Sequence, residues 1–246
     1  MAESRTGARV AVDDLPGPVV TFLNVIGVPW PYLNEDEVRR FAVMVRHFGQ
    51  AVERTHQDAT AAIGRFADAY QGEATRRMRS GWVQLADRHT RELVTGCHVL
   101  ADALDVGADV IVAQKAEALV ELAAMAAAFL ADQAASVATL GLAEAAVPVI
   151  VEAGKKLLET LKQQIIQYIL GEIVEAAAKP LFAKIESAMS ELDWSRAGGP
   201  GGGGSGDGFR LDHGAAGAHL QVLRSHADAF RGHALELRGG LAALSF

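Results

Sequence analysis

The feature that most constrains this chain is an unbroken repeat of apolar and small side chains at three- and four-residue spacing. Its ten positions are Val38, Phe41, Val45, Phe48, Val52, Thr55, Ala59, Ala62, Phe66 and Ala69. This spacing places all ten side chains on one side of an α-helix. Asn34 and Glu37 stand at the start of the repeat with the spacing of an N-terminal capping box. The sequence therefore predicts a helix that runs from residue 35 to residue 69.

A second apolar repeat follows a break at Gln71 and Gly72. Every seventh residue forms a row, which consists of Met78, Leu85, Glu92, Val99 and Val106. The residues that flank this row are Trp82, Leu93, Leu100 and Ala103. No proline lies between Pro31 and Pro148, so nothing breaks this region. We expect two long antiparallel helices joined by a tight turn.

The remaining segments extend this hairpin. Four early prolines allow only a short helix near residues 19–26 before the hairpin. Beyond Gly107, residues 116–146 are alanine-rich and apolar on most faces, which predicts a helix buried between neighbours. Pro148 and Pro180 mark two further helices that end near Ala178 and Leu192. The predicted fold is all-α: a long antiparallel hairpin extended into a bundle of about five helices.

Composition predicts how the chain is divided. We expect a disordered N-terminus (1–14), a helical domain (15–194), a glycine-rich linker (195–212) and a C-terminal amphipathic helix (213–246). The apolar face of that last helix comprises Leu220, Leu223, Ala227, Phe230, Ala234 and Leu237. We expect this helix to dock back on the domain, to oligomerise, or to open a further module.

Charge and hydropathy exclude several classes of protein. The net charge of −7 lacks the basic excess of a general nucleic-acid binder. The first 14 residues have no apolar run of the kind that a cleavable signal peptide needs. Glu121, Asp132 and Glu144 interrupt the most apolar stretch, residues 119–151, so no uncharged window there is long enough to span a bilayer. We therefore expect a soluble protein.

The sequence contains no motif of an enzyme or of a cofactor or metal site. It lacks a phosphate loop, a dinucleotide fingerprint, an HExxH motif and spaced cysteine pairs, so we predict neither catalysis nor a cofactor. Cys97 and His98 are adjacent, and neighbours on a helix do not face each other, so Cys97 is expected in the core.

Charged and histidine clusters have simpler interpretations than catalysis. His219, His226 and His233 recur every two helical turns, roughly 10 Å apart, which is too far for one metal ion. They form a polar stripe or a pH-sensitive helix contact. The acids at residues 35–37 suit the positive end of a helix dipole. Arg76, Arg77 and Arg79 follow the predicted turn and either remain solvated or contact an acidic partner.

The turn region resembles that of the WXG family of helical-hairpin proteins exported by type VII secretion. Tyr70 and Gly72 occupy the positions of the family's aromatic residue and glycine, with Trp82 as a large apolar residue in the second helix. An aromatic side chain wedges against the hairpin, and glycine permits the turn. This chain has tyrosine where the family motif has tryptophan.

The resemblance extends over residues 16 to about 190. The segments that carry it are IGVPWP, NEDEVR, RELV, CHVLADAL, ADQAASVATLGLAEAA and QYILGE. They are similar to the extended WXG-like domain at the N-terminus of actinobacterial polymorphic toxins and of the mycobacterial outer membrane channel protein that carries a necrosis-inducing toxin. The resemblance implies a delivery role, with any toxic activity in a separate C-terminal domain.

The family's export signal is a tyrosine followed four residues later by an acid. Tyr168 and Glu172 fit this pattern, and one α-helical turn would put both on the same face for an ATPase or chaperone. Tyr32 and Asp36 have the same spacing. The alternative to an export signal is that Tyr168 is an ordinary tyrosine at a helix interface.

The sequence is compatible with three functions. The first is a non-catalytic export and assembly module, secreted or displayed at the cell surface, which pairs with a small WXG-type partner or with itself. The second is a membrane-active helical oligomer in which residues 108–151 line a pore. The third is a structural scaffold that shares only helical patterning with the family.

Overall fold

The computed structural model describes residues 15–70, 72–138, 146–191 and 213–244. All regular elements in these ranges are helical, which confirms the predicted all-α class. They are α1 (Gly17–Ile26), α2 (Glu35–Ala69), α3 (Glu73–Ala138), α4 (Val147–Tyr168), a π-helical segment (Ile169–Ala178), α5 (Lys179–Glu191) and α6 (His213–Ala242). The predicted disordered N-terminus and glycine-rich linker lie outside the described residues.

Local signals set the ends of the first two helices as predicted. Helix α1 ends at Gly27, whose φ of 70° is left-handed and whose N–H donates to the Leu23 carbonyl at 3.0 Å. Asn34 caps α2, since its Oδ1 accepts hydrogen bonds from the N–H groups of Asp36 and Glu37 at 3.1 and 3.3 Å.

Helix α3 continues for 66 residues through the position where the sequence pattern changes. Gly107 lies in its interior and is buried. A glycine inside a helix costs only about 1 kcal/mol relative to alanine, so packing outweighs it. The change in composition at Gly107 is therefore not a helix boundary.

The chain divides into two compact units, each made of separated segments. Unit 1 contains the N-terminal segment up to Val38 together with Val106–Gly171. Unit 2 contains Arg39–Asp105 and Glu172–Ser245. Helices α2 and α3 both contribute to both units.

The core of unit 1 forms where α1 packs against α4 and α3. Phe22 is fully buried, and its ring centroid lies 5.6 Å from that of Phe129. A Cβ at Gly154 would lie 2.9 Å from the Phe22 ring. Glycine at this position therefore lets α4 approach α1 closely.

Helix α3 buries only one of its faces in unit 1. Ile111, Leu122 and Phe129 are buried, whereas Val120 and Leu130 on the other side are 72% and 41% exposed. The expectation that this alanine-rich segment is buried between neighbours was therefore wrong for residues 116–138, and residues 139–145 lie outside the described residues. Alanine costs little to expose, so an alanine-rich surface does not require a neighbour on every side.

Contacts within unit 2 confirm the predicted antiparallel hairpin. Arg46 of α2 pairs with Asp102 and Asp105 of α3 at 2.8 and 2.6 Å. Farther along α2, Gly49 faces Cys97, so residue numbers fall along α3 as they rise along α2. The predicted α2 repeat is buried or half-buried at each position whose side chain is described.

The predicted row on α3 is wrong at its last two positions, and the side chains of Met78 and Leu85 in that row lie outside the described residues. Val99 and Val106 are 50% and 55% exposed, while burial follows Val94, Cys97, Leu100, Ala101 and Leu104. These buried residues step by three and four along one helix face, as a packed seam requires. A row at seven-residue spacing alone forms too narrow a stripe to define the buried face.

Helix α6 docks back onto α2 within unit 2. His233 Nε2 lies 3.0 Å from Thr55 Oγ1, and Gly240 lies against Met44. Leu223, Phe230 and Leu237 are half-buried as predicted, but Ala227 and Ala234 are exposed. The side chain of Leu220 lies outside the described residues. The docked face is therefore rotated away from the predicted alanine row.

The sequence did not predict the π-helical segment between α4 and α5. Its hydrogen bonds span one residue more than those of an α-helix, which widens the turn. Pro180 follows directly, and in an α-helix its ring would clash with the carbonyl four residues earlier. The widened turn relieves this clash and lets a helix continue into α5.

Candidate functional site

The end of α2 buries the aromatic residue of the predicted turn motif. Tyr70 is 7% exposed, and its ring centroid lies 4.8 Å from that of Phe66 one turn earlier. The carbonyl of Gly72 accepts the first helical hydrogen bond of α3 from the Arg76 N–H, at 3.1 Å. Tyr70 thus closes one helix and Gly72 opens the next.

Trp82 belongs to a polar cluster between α2 and α3, which we call the hairpin cluster. Its indole N–H donates to Thr60 Oγ1 at 3.0 Å, and its ring stacks on His56 at a centroid distance of 5.8 Å. His56 is buried, and its Nε2 lies 3.1 Å from Asp87 Oδ1. Arg91 donates to the other Asp87 oxygen at 2.8 Å. The cluster therefore links both helices.

The electrostatics of the hairpin cluster favour ionised Asp87. The hydrogen bond with His56 lowers the pKa of the Asp87 carboxyl below its ordinary value, and the Arg91 charge lowers it further. The hydrogen bond between buried His56 and the 41% exposed Asp87 forms only in one register, so it favours this alignment of the two helices. Sequence reasoning missed His56, although it recurs at seven-residue spacing with Ala42, Gly49 and Ile63.

The arginines after the turn lie on the surface. Arg76 is exposed, and Arg79 is 57% exposed with its Nη1 3.6 Å from Asp68 Oδ1. These two arginines line a shallow open cleft with Ser80 and Val83. The side chain of Arg77 lies outside the described residues. The geometry leaves the positive charge of Arg76 and Arg79 accessible from solvent.

Cys97 is a packed core residue, as predicted. Cys97 is 1% exposed and lies against Gly49. A Cβ added at Gly49 would lie 3.1 Å from the Cβ of Cys97. Burial raises the pKa of its thiol to about 11, so the thiolate that a nucleophile needs is disfavoured. His98 is exposed on a different face of α3.

A buried ion pair in unit 1 was not predicted. Lys115 is fully buried, donates to the Leu33 carbonyl at 2.6 Å and lies 2.8 Å from Glu35 Oε1. Glu35 therefore anchors the start of α2 to α3, a role beyond the helix-dipole effect expected for it. The available signal was a lysine within the apolar series Ile111, Ala118 and Leu122.

The residues of the candidate export signal differ in exposure. Tyr168 is the last residue of α4 and is half-buried, whereas Glu172 is exposed. Glu172 lies in the π-helical segment, so the single α-helical turn assumed from the spacing is not present. Tyr32 of the alternative pair is 66% exposed.

The described residues were also compared with the requirements of a metal site and of a membrane-spanning helix. No group of three or more His, Cys, Asp or Glu side chains in it is arranged to hold a metal ion. One helical stretch, Arg79–Ala135, is long and apolar enough to cross a membrane by length and composition, with a window of mean hydropathy 1.4 that is 22% buried.

Comparison with known proteins identifies the family. No curated protein and no solved structure matches the chain significantly. The family model of the WXG100-like domain matches residues 11–154, which is more than half of the chain. The match includes α1, α2, the Tyr70–Gly72 turn and all of α3. The chain therefore belongs to the WXG100-like domain family.

Proposed function

We propose that this chain is a non-catalytic export and assembly module of a type VII secretion substrate, and that it forms the N-terminal part of a polymorphic toxin. The WXG100-like family is a helical family related to type VII secretion. The observation that carries the proposal is the family match over the antiparallel hairpin formed by α2 and α3. The partners would be the secretion ATPase or a chaperone, with a small WXG-type protein or a second copy as a further partner.

The packing of the described residues supports a role in binding rather than in catalysis. The sole cysteine is buried and protonated at neutral pH, and His56 and Asp87 are held in a cluster between two helices. The accessible charged side chains include Arg76 and Arg79 beside the turn and Glu172 in the π-helical segment. Accessible charges on a rigid helical frame are typical of protein recognition surfaces.

Tyr168 and Glu172 are our proposed export signal. Glu172 is exposed, and part of the Tyr168 side chain remains available to a receptor. Gly171 between them has no neighbour within 4 Å of the position of a Cβ, so the backbone there is also open. A tyrosine ring and a carboxylate offer a receptor both apolar contact and charge.

The proposal is tested by secretion of the tagged chain from an actinobacterial host with and without its type VII ATPase. Export should require the ATPase and should fall at least tenfold in the Tyr168→Ala and Glu172→Gln variants. A cytoplasmic marker controls for lysis. Export that is independent of the ATPase, or never detected, contradicts the module.

The matched control for the signal is Tyr32→Ala, which disrupts the second pair with the same spacing. Tyr32 is 66% exposed, so its removal should leave the fold intact. Export should remain at the unmodified level in this variant. If Tyr32→Ala abolishes export while Tyr168→Ala does not, the signal lies at the N-terminal end of α2.

A second candidate function is membrane insertion by α3. The observation that favours it is the apolar window within Arg79–Ala135, of which 22% is buried. Exposed apolar helix surface partitions into lipid when the chain rearranges. Dye leakage from liposomes is the discriminating assay, since an export module that acts only through proteins should release no dye.

A further inference from the structure

Helix α6 occupies a defined site on α2, which we call the α2 docking face. Its two fixed points are Met44 and Thr55, both on α2 within unit 2. Met44 contacts Gly240, and Thr55 Oγ1 lies 3.0 Å from His233 Nε2. The higher-numbered residue of α2 meets the lower-numbered residue of α6, so the two helices run antiparallel.

The fit at Gly240 is selective. A Cβ at this position would overlap Met44 Sδ, whereas a Cβ at Gly239 would meet nothing within 4 Å. Thr55 is 7% exposed, so its hydroxyl needs a hydrogen-bond partner from the covering helix. The face therefore accepts a helix with a small residue opposite Met44 and a hydrogen-bonding residue opposite Thr55.

Helix α6 is held less firmly than the helices beneath it. Each of its residues whose side chain is described is exposed or half-buried, and none is buried. A side that includes Ala227, Ala234 and Leu241 remains exposed when α6 is docked. Release of α6 exposes no fully buried side chain among its own described residues, so it should cost less free energy than removal of a core helix.

The connection to α5 does not restrict α6 to its own chain. Residues 192–212 separate the two helices, and a segment of this length reaches about 70 Å at full extension. The same contacts with Met44 and Thr55 are available to α6 of another molecule. Exchange of an identical element between copies is a low-cost route to association.

We propose that the α2 docking face is a helix-binding surface whose occupant in trans is α6 of a second copy of this chain. In the single chain α6 acts as its own ligand and blocks this face. Release of α6 opens the face to another copy and supplies a helix that fits that copy. The inference concerns assembly alone and does not depend on the proposed export function.

The test measures binding of a fluorescent peptide of residues 213–244 to full-length chains. Gly240→Glu should weaken docking of the tethered α6, because its Cβ would require the Met44 side chain to move and its carboxylate would lie against that apolar side chain. Gly239→Glu is the matched control, with the same charge and helix propensity at an open position. The peptide should bind the Gly240→Glu chain at least tenfold more tightly than the Gly239→Glu chain, whose tethered α6 competes.

Two further measurements complete the test. His233→Ala removes the contact with Thr55 and should also increase peptide binding, by a smaller factor. A peptide carrying Gly240→Glu should bind none of the chains. Equal affinity of the native peptide for the Gly240→Glu and Gly239→Glu chains, or no binding to a Gly240→Glu chain of unchanged helicity, overturns the proposal. Neither result bears on secretion.

Discussion

Removal of either partner of the Lys115 ion pair should destabilise unit 1 strongly, and by unequal amounts. Lys115 is 0% exposed and Glu35 is 16% exposed. Loss of one partner of a buried pair leaves an uncompensated charge and costs about 3–5 kcal/mol. Because Lys115 is the more deeply buried partner, the variant that leaves it unpaired should be the more damaging.

The magnitudes follow from which group each substitution leaves behind. Lys115→Met leaves the partly exposed Glu35 carboxylate and the Leu33 carbonyl without the ammonium, at a cost of about 3 kcal/mol. Glu35→Gln leaves the fully buried Lys115 ammonium without its carboxylate partner and with the Leu33 carbonyl, at a cost of about 4 kcal/mol. The double variant leaves no unpaired charge, so its cost should fall short of the sum by about 2–3 kcal/mol.

The assay is urea unfolding followed by the fluorescence of Trp30, which is 2% exposed in the core of unit 1. Trp82→Phe and Trp194→Phe in every chain make Trp30 the single reporter. A loss below about 1 kcal/mol in both single variants, within the range of a surface pair, would refute the burial argument. Additive losses in the double variant would refute the pairing.

Four other substitutions test packing and titration. Gly154→Ala should lose about 1 kcal/mol because its methyl group meets the Phe22 ring, whereas Gly64→Ala at an open position should gain up to about 1 kcal/mol; thermal unfolding measures both. Folding raises the pKa of Cys97 from 9.0 to about 11, so its contribution is complete below pH 9 and is lost as pH rises towards 11. That loss is at most about 3 kcal/mol and should be absent in Cys97→Ala; an identical alkaline dependence would contradict the assignment. The lowered pKa of Asp87 stabilises the fold above pH 4, and this contribution disappears as pH falls below 3.8, so Asp87→Asn should flatten the acid side of the stability profile.

The hairpin was predictable because its signals are local and repeated. The α2 repeat, the Asn34 cap and the turn at Tyr70 and Gly72 each depend on neighbouring residues in the sequence. The buried face of α3 was not predictable from its strongest seven-residue row, because several rows of α3 are apolar. Contact with Gly49 at Cys97 selects one of them, and that contact joins residues far apart in the chain.

The candidate site was predictable to the level of residue type but not of contact. Tyr70 and Trp82 were identified from the resemblance to the WXG family, and the arginines from their place beside the turn. The partners of Trp82, namely Thr60 and His56, come from the opposite helix and depend on its register. Hydrophobic periodicity could not predict the π-helical segment. Its backbone depends on one residue, Pro180, which comes after the segment in the sequence.

The division of each unit into separated segments has a mechanical consequence. A motor that draws the chain in from its C-terminal side reaches α6 and α5 before the other described helices, and both belong to unit 2. It then reaches α4 and the later part of α3, which belong to unit 1, before it returns to unit 2 through the earlier part of α3. Because this route alternates between the units, neither unit can be unfolded completely before part of the other unit is unfolded. Resistance to such a motor is therefore divided into several smaller steps.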